Sequence, residues 1–224
     1  MKPRTIFWLL EILAVSVLWE YAEAQIIVTT PYEFAVGASG GATFSSVTFN
    51  PKVAQSTLQG VTFGVTGRMT MGEYVGLQLE LNYAGEGWNE KYDDNPELHY
   101  SRRLNYFQMP FYTRVQFGGK SVKGFINAGP QIGYFLGEST SENLNGATPG
   151  KVNEQHNMPL ENKFEWGLSG GGGIEIRTGI GFFLIEGRYA YYFGDIYSTK
   201  VKDYFSKASV QVITTKLTYL IPLK

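Results

Sequence analysis

The chain has 224 residues, with 19 Lys plus Arg against 20 Asp plus Glu, two histidines and no cysteine. A charge balance this close to zero excludes broad electrostatic binding to nucleic acid, and the lack of cysteine excludes a disulfide framework. The 27 glycines with 15 tyrosines and 15 phenylalanines point to strands and aromatic belts rather than long helices.

Residues 1–24 read as a secretory signal peptide. Lys2 and Arg4 supply the positive start, Thr5 to Trp19 the apolar run, and Ala22-Glu23-Ala24 a small-residue cleavage site before Gln25. A membrane anchor is the competing reading, but the run has only 15 residues and contains Glu11. A spanning helix needs roughly 20 apolar residues. Cleavage is expected after Ala24, and no cysteine follows to carry a lipid anchor. The remaining domain, 25–224, loses two bases and three acids and keeps 17 of each.

Eight stretches alternate with period two, the signature of strands with two unlike faces. The first runs from Phe34 to Phe44. The second, Val61 to Met71, sets Val61, Phe63, Val65 and Met69 against Thr62, Thr66, Arg68 and Thr70. Tyr74 to Tyr83 alternates Val75, Leu77, Leu79, Leu81 and Tyr83 with Gly76, Gln78, Glu80 and Asn82. In Tyr106 to Phe117, Phe107, Met109, Phe111, Val115 and Phe117 oppose Gln108, Tyr112, Arg114 and Gln116. Phe125 to Leu136 places Ile126, Ala128, Ile132 and Tyr134 opposite Asn127 and Gln131. Phe164 to Ile176 places Trp166, Leu168 and Ile174 opposite Glu165, Ser169 and Glu175. Phe182 to Phe193 sets Phe183, Ile185, Tyr189 and Tyr191 against Glu186 and Arg188, and Ala208 to Leu223 sets Ile213, Leu217, Tyr219 and Ile221 against Lys216.

The gaps between them alternate strictly. Gly72-Glu73, 118–124 and 177–181 are short, whereas 45–60, 84–105, 137–163 and 194–207 are long. Short turns at one end and long loops at the other are the asymmetry of outer-membrane barrels, with both chain ends on the turn side. The polar faces carry four bases and four acids: Arg68, Glu80, Arg114, Glu165, Glu175, Glu186, Arg188 and Lys216. An eight-stranded barrel encloses little more than its own side chains, so the bulky aromatic face belongs outside against lipid and these charges inside, as an ion-pair plug. Closure is required because an open strand edge in hydrocarbon costs several kcal/mol per unsatisfied group. Pro110 cannot donate to a ladder, so a bulge or an already free position is expected there. Tyr83, Tyr106, Phe107, Tyr134, Trp166, Tyr191 and Phe193 near the loop ends, and Tyr74, Phe117, Phe125, Phe182 and Tyr219 near the turn ends, are expected to form two interfacial girdles.

Four segments carry a resemblance. Tyr106, Met109 and Pro110 in YFQMPFYTRVQF, together with NAGPQIGY at 127–134, GLSGGGGIEI at 167–176 and EGRYAYYFGDI at 186–196, resemble the PorT-like outer-membrane β-barrel family of Bacteroidota-type bacteria. The resemblance implies, in some members, a part in protein secretion or gliding machinery. The Arg188-Tyr189 pair matches one found in that family, without a catalytic role.

Sites of chemistry are sparse. His99 and His156 both fall in long loops, with Asp93, Asp94 and Glu97 near the first and Glu154 near the second. Polar loops contain such neighbours by chance, so no catalytic, metal or cofactor site is assigned. The Gly170–Gly173 run lacks the strand-turn-helix context and the lysine of a phosphate cradle; on a barrel strand it permits sharp curvature, or the close approach of a bulky inward neighbour such as Tyr112 or Arg188. In the loop 84–105, Trp88, Tyr92, His99 and Tyr100 are the candidate external contacts, and 137–162 reads as a mobile polar loop.

The sequence thus points to an all-β, eight-stranded antiparallel up-and-down transmembrane β-barrel. It is expected to be a monomer closed to bulk solutes, partnered by outer-membrane lipid and by an envelope or extracellular protein. A narrow pore, an enzyme acting on lipid or peptide, and a soluble lipocalin-like carrier are the alternatives.

Overall fold

The structure, a computed structural model, describes residues 32–92, 97–144, 154–197 and 205–223. The expected signal peptide and its cleavage site lie outside the described residues, as do Asp93 and Asp94.

Eight long strands form the sheet: β1 (Tyr32–Asn50), β3 (Leu58–Met71), β4 (Val75–Glu90), β5 (His99–Gly118), β6 (Val122–Asn143), β7 (Phe164–Thr178), β8 (Gly181–Asp195) and β9 (Lys207–Leu223). Each pairs antiparallel with its neighbours in the chain. β1 pairs with β9 from Phe34↔Leu223 to Asn50↔Lys207, which closes the ring. The two-residue β2 (Gln55–Ser56) prolongs β3 along β4, through Gln55↔Glu90 and Ser56↔Asn89. Every edge within the barrel is therefore paired, as a strand wall surrounded by hydrocarbon demands.

Period two decides which side chain goes where. Along β5, Tyr100, Arg102, Leu104, Tyr106, Gln108, Tyr112, Arg114 and Gln116 are buried while Phe107, Met109, Phe111, Val115 and Phe117 are exposed. The same holds around the ring: Leu79 is 44% exposed, Ile185 58% and Leu217 64%, against 1% for Glu80 and 0% for Arg114. A water-soluble sheet would reverse this, so the outer face is built for an apolar solvent.

Prolines and glycines sit where the ladder allows them. Pro110 falls in a break of the β4–β5 pairing between Leu79↔Phe111 and Asn82↔Gln108. Pro130 falls in a break of the β5–β6 pairing between Pro110↔Gln131 and Thr113↔Ala128. Neither missing N–H removes a ladder bond at those positions. Gly72 turns β3 into β4 with φ of 67°, a left-handed conformation that favours glycine.

Two expectations need correction. Four strands run far beyond the apolar band: β1 to Asn50, β4 to Glu90, β5 from His99 and β6 to Asn143, so much of 45–60, 84–105 and 137–143 is sheet, not loop. Seven residues of strand beyond Tyr83 amount to roughly 23 Å along the chain. A one-turn helix, α1 (Glu154–Asn157), follows at the same end. Tyr106, Phe125 and Phe182, placed above in the girdles, are buried in the lumen; Tyr106 alternates with the outward Phe107, so parity alone turns it inward.

Candidate functional site in the lumen

All eight charges read from the sequence, Arg68, Glu80, Arg114, Glu165, Glu175, Glu186, Arg188 and Lys216, are buried inside the ring. They are arranged in layers. At the turn end Glu175 receives Arg68, Arg114 (2.5 Å) and Arg177 (2.7 Å), and Arg177 also holds Glu33 with both terminal nitrogens at 3.0 and 3.1 Å. Arg114 lies over the Phe125 ring, 3.7 Å from its centroid, and Arg177 over Phe182 at 4.5 Å. Those rings cover the guanidinium faces while the carboxylates take the edges.

In the middle layer Glu80 is the hub. Arg188 grips both of its oxygens (2.8 and 2.5 Å), Lys216 Nζ lies at 2.6 Å, and the amides of Gln78 (2.6 Å) and Asn82 (2.9 Å) donate to it as well. Arg188 also binds Glu186 at 2.5 Å and lies over the Tyr112 ring, 4.6 Å from its centroid. Gly171 makes room for this: a Cβ there would stand 2.9 Å from Arg188 Cγ and 2.1 Å from the carbonyl oxygen of Gly187. The glycine run thus serves close approach, as expected.

Of the third layer, Gln108 and Glu165 were read from the sequence as inward residues and Glu86 was not. Gln108 Nε2 donates to Glu86 (2.6 Å) and Glu165 (2.8 Å) and stands 2.7 Å from the Tyr192 hydroxyl. Glu165 reaches Gln108 by crossing Gly133, where a Cβ would meet its Oε1 at 2.3 Å and its Cγ at 2.8 Å. Gly133→Ala is expected to push Glu165 off Gln108 and to cost about 1–3 kcal/mol as overpacking, read as a lower melting temperature by heat-modifiable gel mobility in detergent. With Glu33, Glu86 and Arg177 included, these three layers hold six acids and five bases among the described residues, rather than four of each. The signal was available: Glu86 continues the inward parity of Gln78, Glu80 and Asn82, beyond the point where the outward face stops being apolar.

Between the second and third layers lies a cavity of about 20 Å³, lined by Asn82, Glu86, Gln108, Tyr112, Arg188 and Tyr192 among others. That is room for about one water.

The ring of eight up-and-down strands, the apolar outer wall and the charged interior decide the kinship. A sequence profile of the outer membrane protein beta-barrel domain matches residues 23–198. The chain belongs to this family. Its fold is shared by OprG of Pseudomonas aeruginosa, with TM-score 0.50 and 14% identity over 86% of this chain and 97% of that one. Neisserial surface protein A (TM-score 0.43, 13% identity, 83% and 96% covered) and Ail of Yersinia pestis (TM-score 0.39, 13% identity, 84% and 99% covered) are further neighbours. At such identities the likeness is one of fold alone. No curated protein matches the chain by sequence.

In an outer membrane β-barrel the long-loop end faces outward from the cell, and here that end is closed. Trp88, Phe49, Tyr197 and Phe205 pack together above the lipid band, Trp88 edge-on to Phe49 at 5.2 Å. Arg102 ties the strands to the cap. Its Nε and Nη2 bind Glu138 at 2.9 and 3.0 Å, and Nη1 binds the Gln155 and Met158 carbonyl oxygens at 3.1 and 2.8 Å and the Tyr197 hydroxyl at 3.0 Å. Glu90 accepts from Tyr92 (2.7 Å), Gln155 (2.8 Å) and Trp88 Nε1 (3.3 Å), and pairs with His156 Nε2 at 2.7 Å. The His156 ring stacks on Tyr100 with centroids 3.8 Å apart. Burial pushes the Tyr100 hydroxyl up to about 12, so it stays protonated.

The four residues expected to make external contacts therefore divide. Trp88 and Tyr100 are fully buried, because they continue the inward face of β4 and β5 above the membrane; Tyr92 is half-buried and His99 is exposed. His156 meets Glu90, 66 residues away in sequence. Among the described residues no three His, Asp or Glu side chains gather as metal ligands.

Proposed function

We propose that this outer membrane protein is a monomeric, closed barrel that serves the envelope as a structural or contact-making element, with its external rim rather than its lumen meeting partners. One observation carries the reading. From Glu175 to Trp88 the interior is occupied by buried ion pairs, amides and aromatic rings, and the cavity between the middle and third layers has room for about one water. A solute would have to break at least one buried ion pair to pass, and separating such a pair costs several kcal/mol. Planar-bilayer recording of the purified protein is expected to be silent; steady ohmic steps would establish a narrow pore instead.

The rim offers His99, Arg103 and the exposed β6 extension from Glu138 to Asn143 for contact with an envelope or extracellular protein. His156 engages Nε2 with Glu90 and its ring face with Tyr100, which favours a structural role for it over a catalytic one. The PorT-like resemblance of Tyr106 to Pro110 and of 186–196 supports a place beside protein-secretion or gliding machinery. Affinity capture from membranes through a tag in an external loop tests that placement: recovery of secretion or gliding components supports it, and recovery of the barrel alone removes it.

A further inference from the structure

At the external end of β1 the outer wall opens. β1 pairs with β9 up to Asn50↔Lys207, but its pairing with β3 stops at Ser45↔Leu58, where the chain swings out through 51–54 and returns as β2 along β4. Ser46–Asn50 thus has a strand on one side only among the described residues, and a groove of about 460 Å³ lies on the other. Ser46, Thr48, Ser56, Thr57, Lys52 and Gln211 give it a polar lining. That lining is held in place: Gln55 accepts from Val47 N–H at 3.0 Å and donates to the Val47 carbonyl oxygen, and Gln211 accepts from Tyr189 at 3.0 Å while donating to Thr48 at 2.7 Å. The groove sits where the lipid band ends, because the outward series change character here, from Phe44 to Ser46 on β1 and from Ile213 to Gln211 on β9.

Charge marks the same sector. The segment 45–60 contains no Asp or Glu. Lys52 is exposed, and among the described residues no ion pair engages it. Lys207, opposite Asn50, donates to the Tyr191 hydroxyl at 3.1 Å, and on the other flank Arg103 donates to the Gln59 carbonyl oxygen at 3.2 Å. Exposed acids of the rim stand elsewhere, at Glu97, Glu138, Glu142 and Glu161. Below the groove and past Phe44, β1 turns Ala42, Gly40 and Ala38 to the lipid, between Val61, Phe63 and Val65 on β3 and Leu217 and Tyr219 on β9. Close packing does not demand small residues there. A Cβ on Gly40 would meet nothing nearer than 3.9 Å, whereas on the inward Gly37 and Gly41 it would run into the Tyr219 and Thr215 carbonyl oxygens. The wall therefore carries a furrow along β1 that leads up to the groove.

We propose that the groove binds the headgroup of one phosphorylated glycolipid of the outer leaflet, with an acyl chain lying along the furrow. Hydroxyl and amide groups match the hydroxyls of a sugar, and Lys52 and Lys207 supply point charges for a phosphate. Each base near an anionic membrane surface adds to such attraction, and the Tyr189 and Tyr191 rings hold the barrel at headgroup depth. A free sugar phosphate would use the groove and not the furrow. An anionic phospholipid would use the cations and the furrow but leave the hydroxyls without a sugar. The site rests on the barrel standing in the outer membrane and is independent of whether the lumen conducts.

Native mass spectrometry of the purified protein, refolded in detergent and titrated with diphosphorylated lipid A, tests this. One lipid A is expected to stay on each barrel, and an equal concentration of phosphatidylglycerol or of inorganic phosphate should not displace it. Lys52→Ala should weaken binding by about fivefold, the effect of one lysine near an anionic surface. Gly40→Leu/Ala42→Leu fills the furrow with side chains that suit a lipid-facing wall and should weaken binding severalfold, with heat-modifiable gel mobility retained; if that variant does not fold, Lys52→Ala carries the test. Lys163→Ala, before β7, should leave binding unchanged. Displacement by phosphatidylglycerol would show a surface for any anionic lipid, and displacement by phosphate an anion site without a lipid. Equal affinity in Lys52→Ala and the parent would place the lipid elsewhere on the wall. Each of these three results overturns the proposal, as does the absence of a bound lipid A.

Discussion

Replacing Glu80 with leucine is expected to lower the stability of the barrel by about 3–5 kcal/mol, the cost of leaving buried charges unpaired. Glu80 is 1% exposed and simultaneously receives Arg188 on both oxygens, Lys216, Gln78 and Asn82. Leucine fills much of the space but removes the acceptor, so Arg188 keeps Glu186 as its one carboxylate beside the Tyr112 hydroxyl at 3.4 Å, and Lys216 keeps the Asn82 oxygen at 3.1 Å. The melting temperature read from heat-modifiable gel mobility in detergent should fall clearly. Glu80→Leu combined with Lys216→Met should recover part of the loss, because one stranded charge is gone and its neighbours are now apolar. Unchanged melting for Glu80→Leu would mean that the middle layer does not hold the barrel together.

The parts of this molecule that could be read from the sequence are those that lipid imposes. In Val75, Leu79 and Leu81, or Phe107, Phe111 and Val115, the solvent outside the wall demands an apolar residue at every second position, so the alternation marks both strand and orientation. Above the band that demand ends. The outward positions of His99–Asn105 are His99, Ser101, Arg103 and Asn105, and those of Ala84–Glu90 are Gly85, Gly87 and Asn89, none of them a large apolar residue, so the strands vanish from the pattern although they continue in space. Trp88 and Tyr100 then look like loop aromatics, when their parity with Glu80 and Arg114 turns them inward. Parity extended past the last apolar residue would have found Glu86 and Tyr106 too.

Which charges meet was beyond reach for another reason. Arg68 finds Glu175 at a separation of 107 residues and Arg188 finds Glu80 at 108, because the contacts cross the lumen between strands that do not pair. Register along neighbouring strands follows from alternation and turn length, but depth across a barrel depends on shear and tilt, which no local pattern encodes. The equal count of inward acids and bases suggested pairing in general. It concealed the one layer where pairing fails, since Glu86 and Arg177 both lay beyond the stretches that were counted.

The mouth gives the second large effect, and of a different kind. Trp88→Ala is expected to remove about 3–5 kcal/mol from the external cluster. The indole is fully buried between Phe49 and Tyr197, lies under Arg102 with its guanidinium 5.9 Å from the ring, and donates to Glu90 at 3.3 Å. Met158 and Leu160 pack against the same cluster, so the cap loses the surface that holds it down. The cluster stands above the lipid band and shares no ion pair with Glu80 or Glu175, which lets it open as a unit while the paired strands below stay closed. Trypsin cleavage after Lys163 and amide exchange in 154–163 should therefore rise by an order of magnitude or more, as an opening free energy lowered by over 1.4 kcal/mol requires. Barrel melting should move far less than in Glu80→Leu, and bilayer recordings should remain silent, because the ion-pair layers beneath still fill the lumen. Equal loss of barrel melting in both variants would show that mouth and membrane segment unfold as one body, and the division into cap and plug would fail.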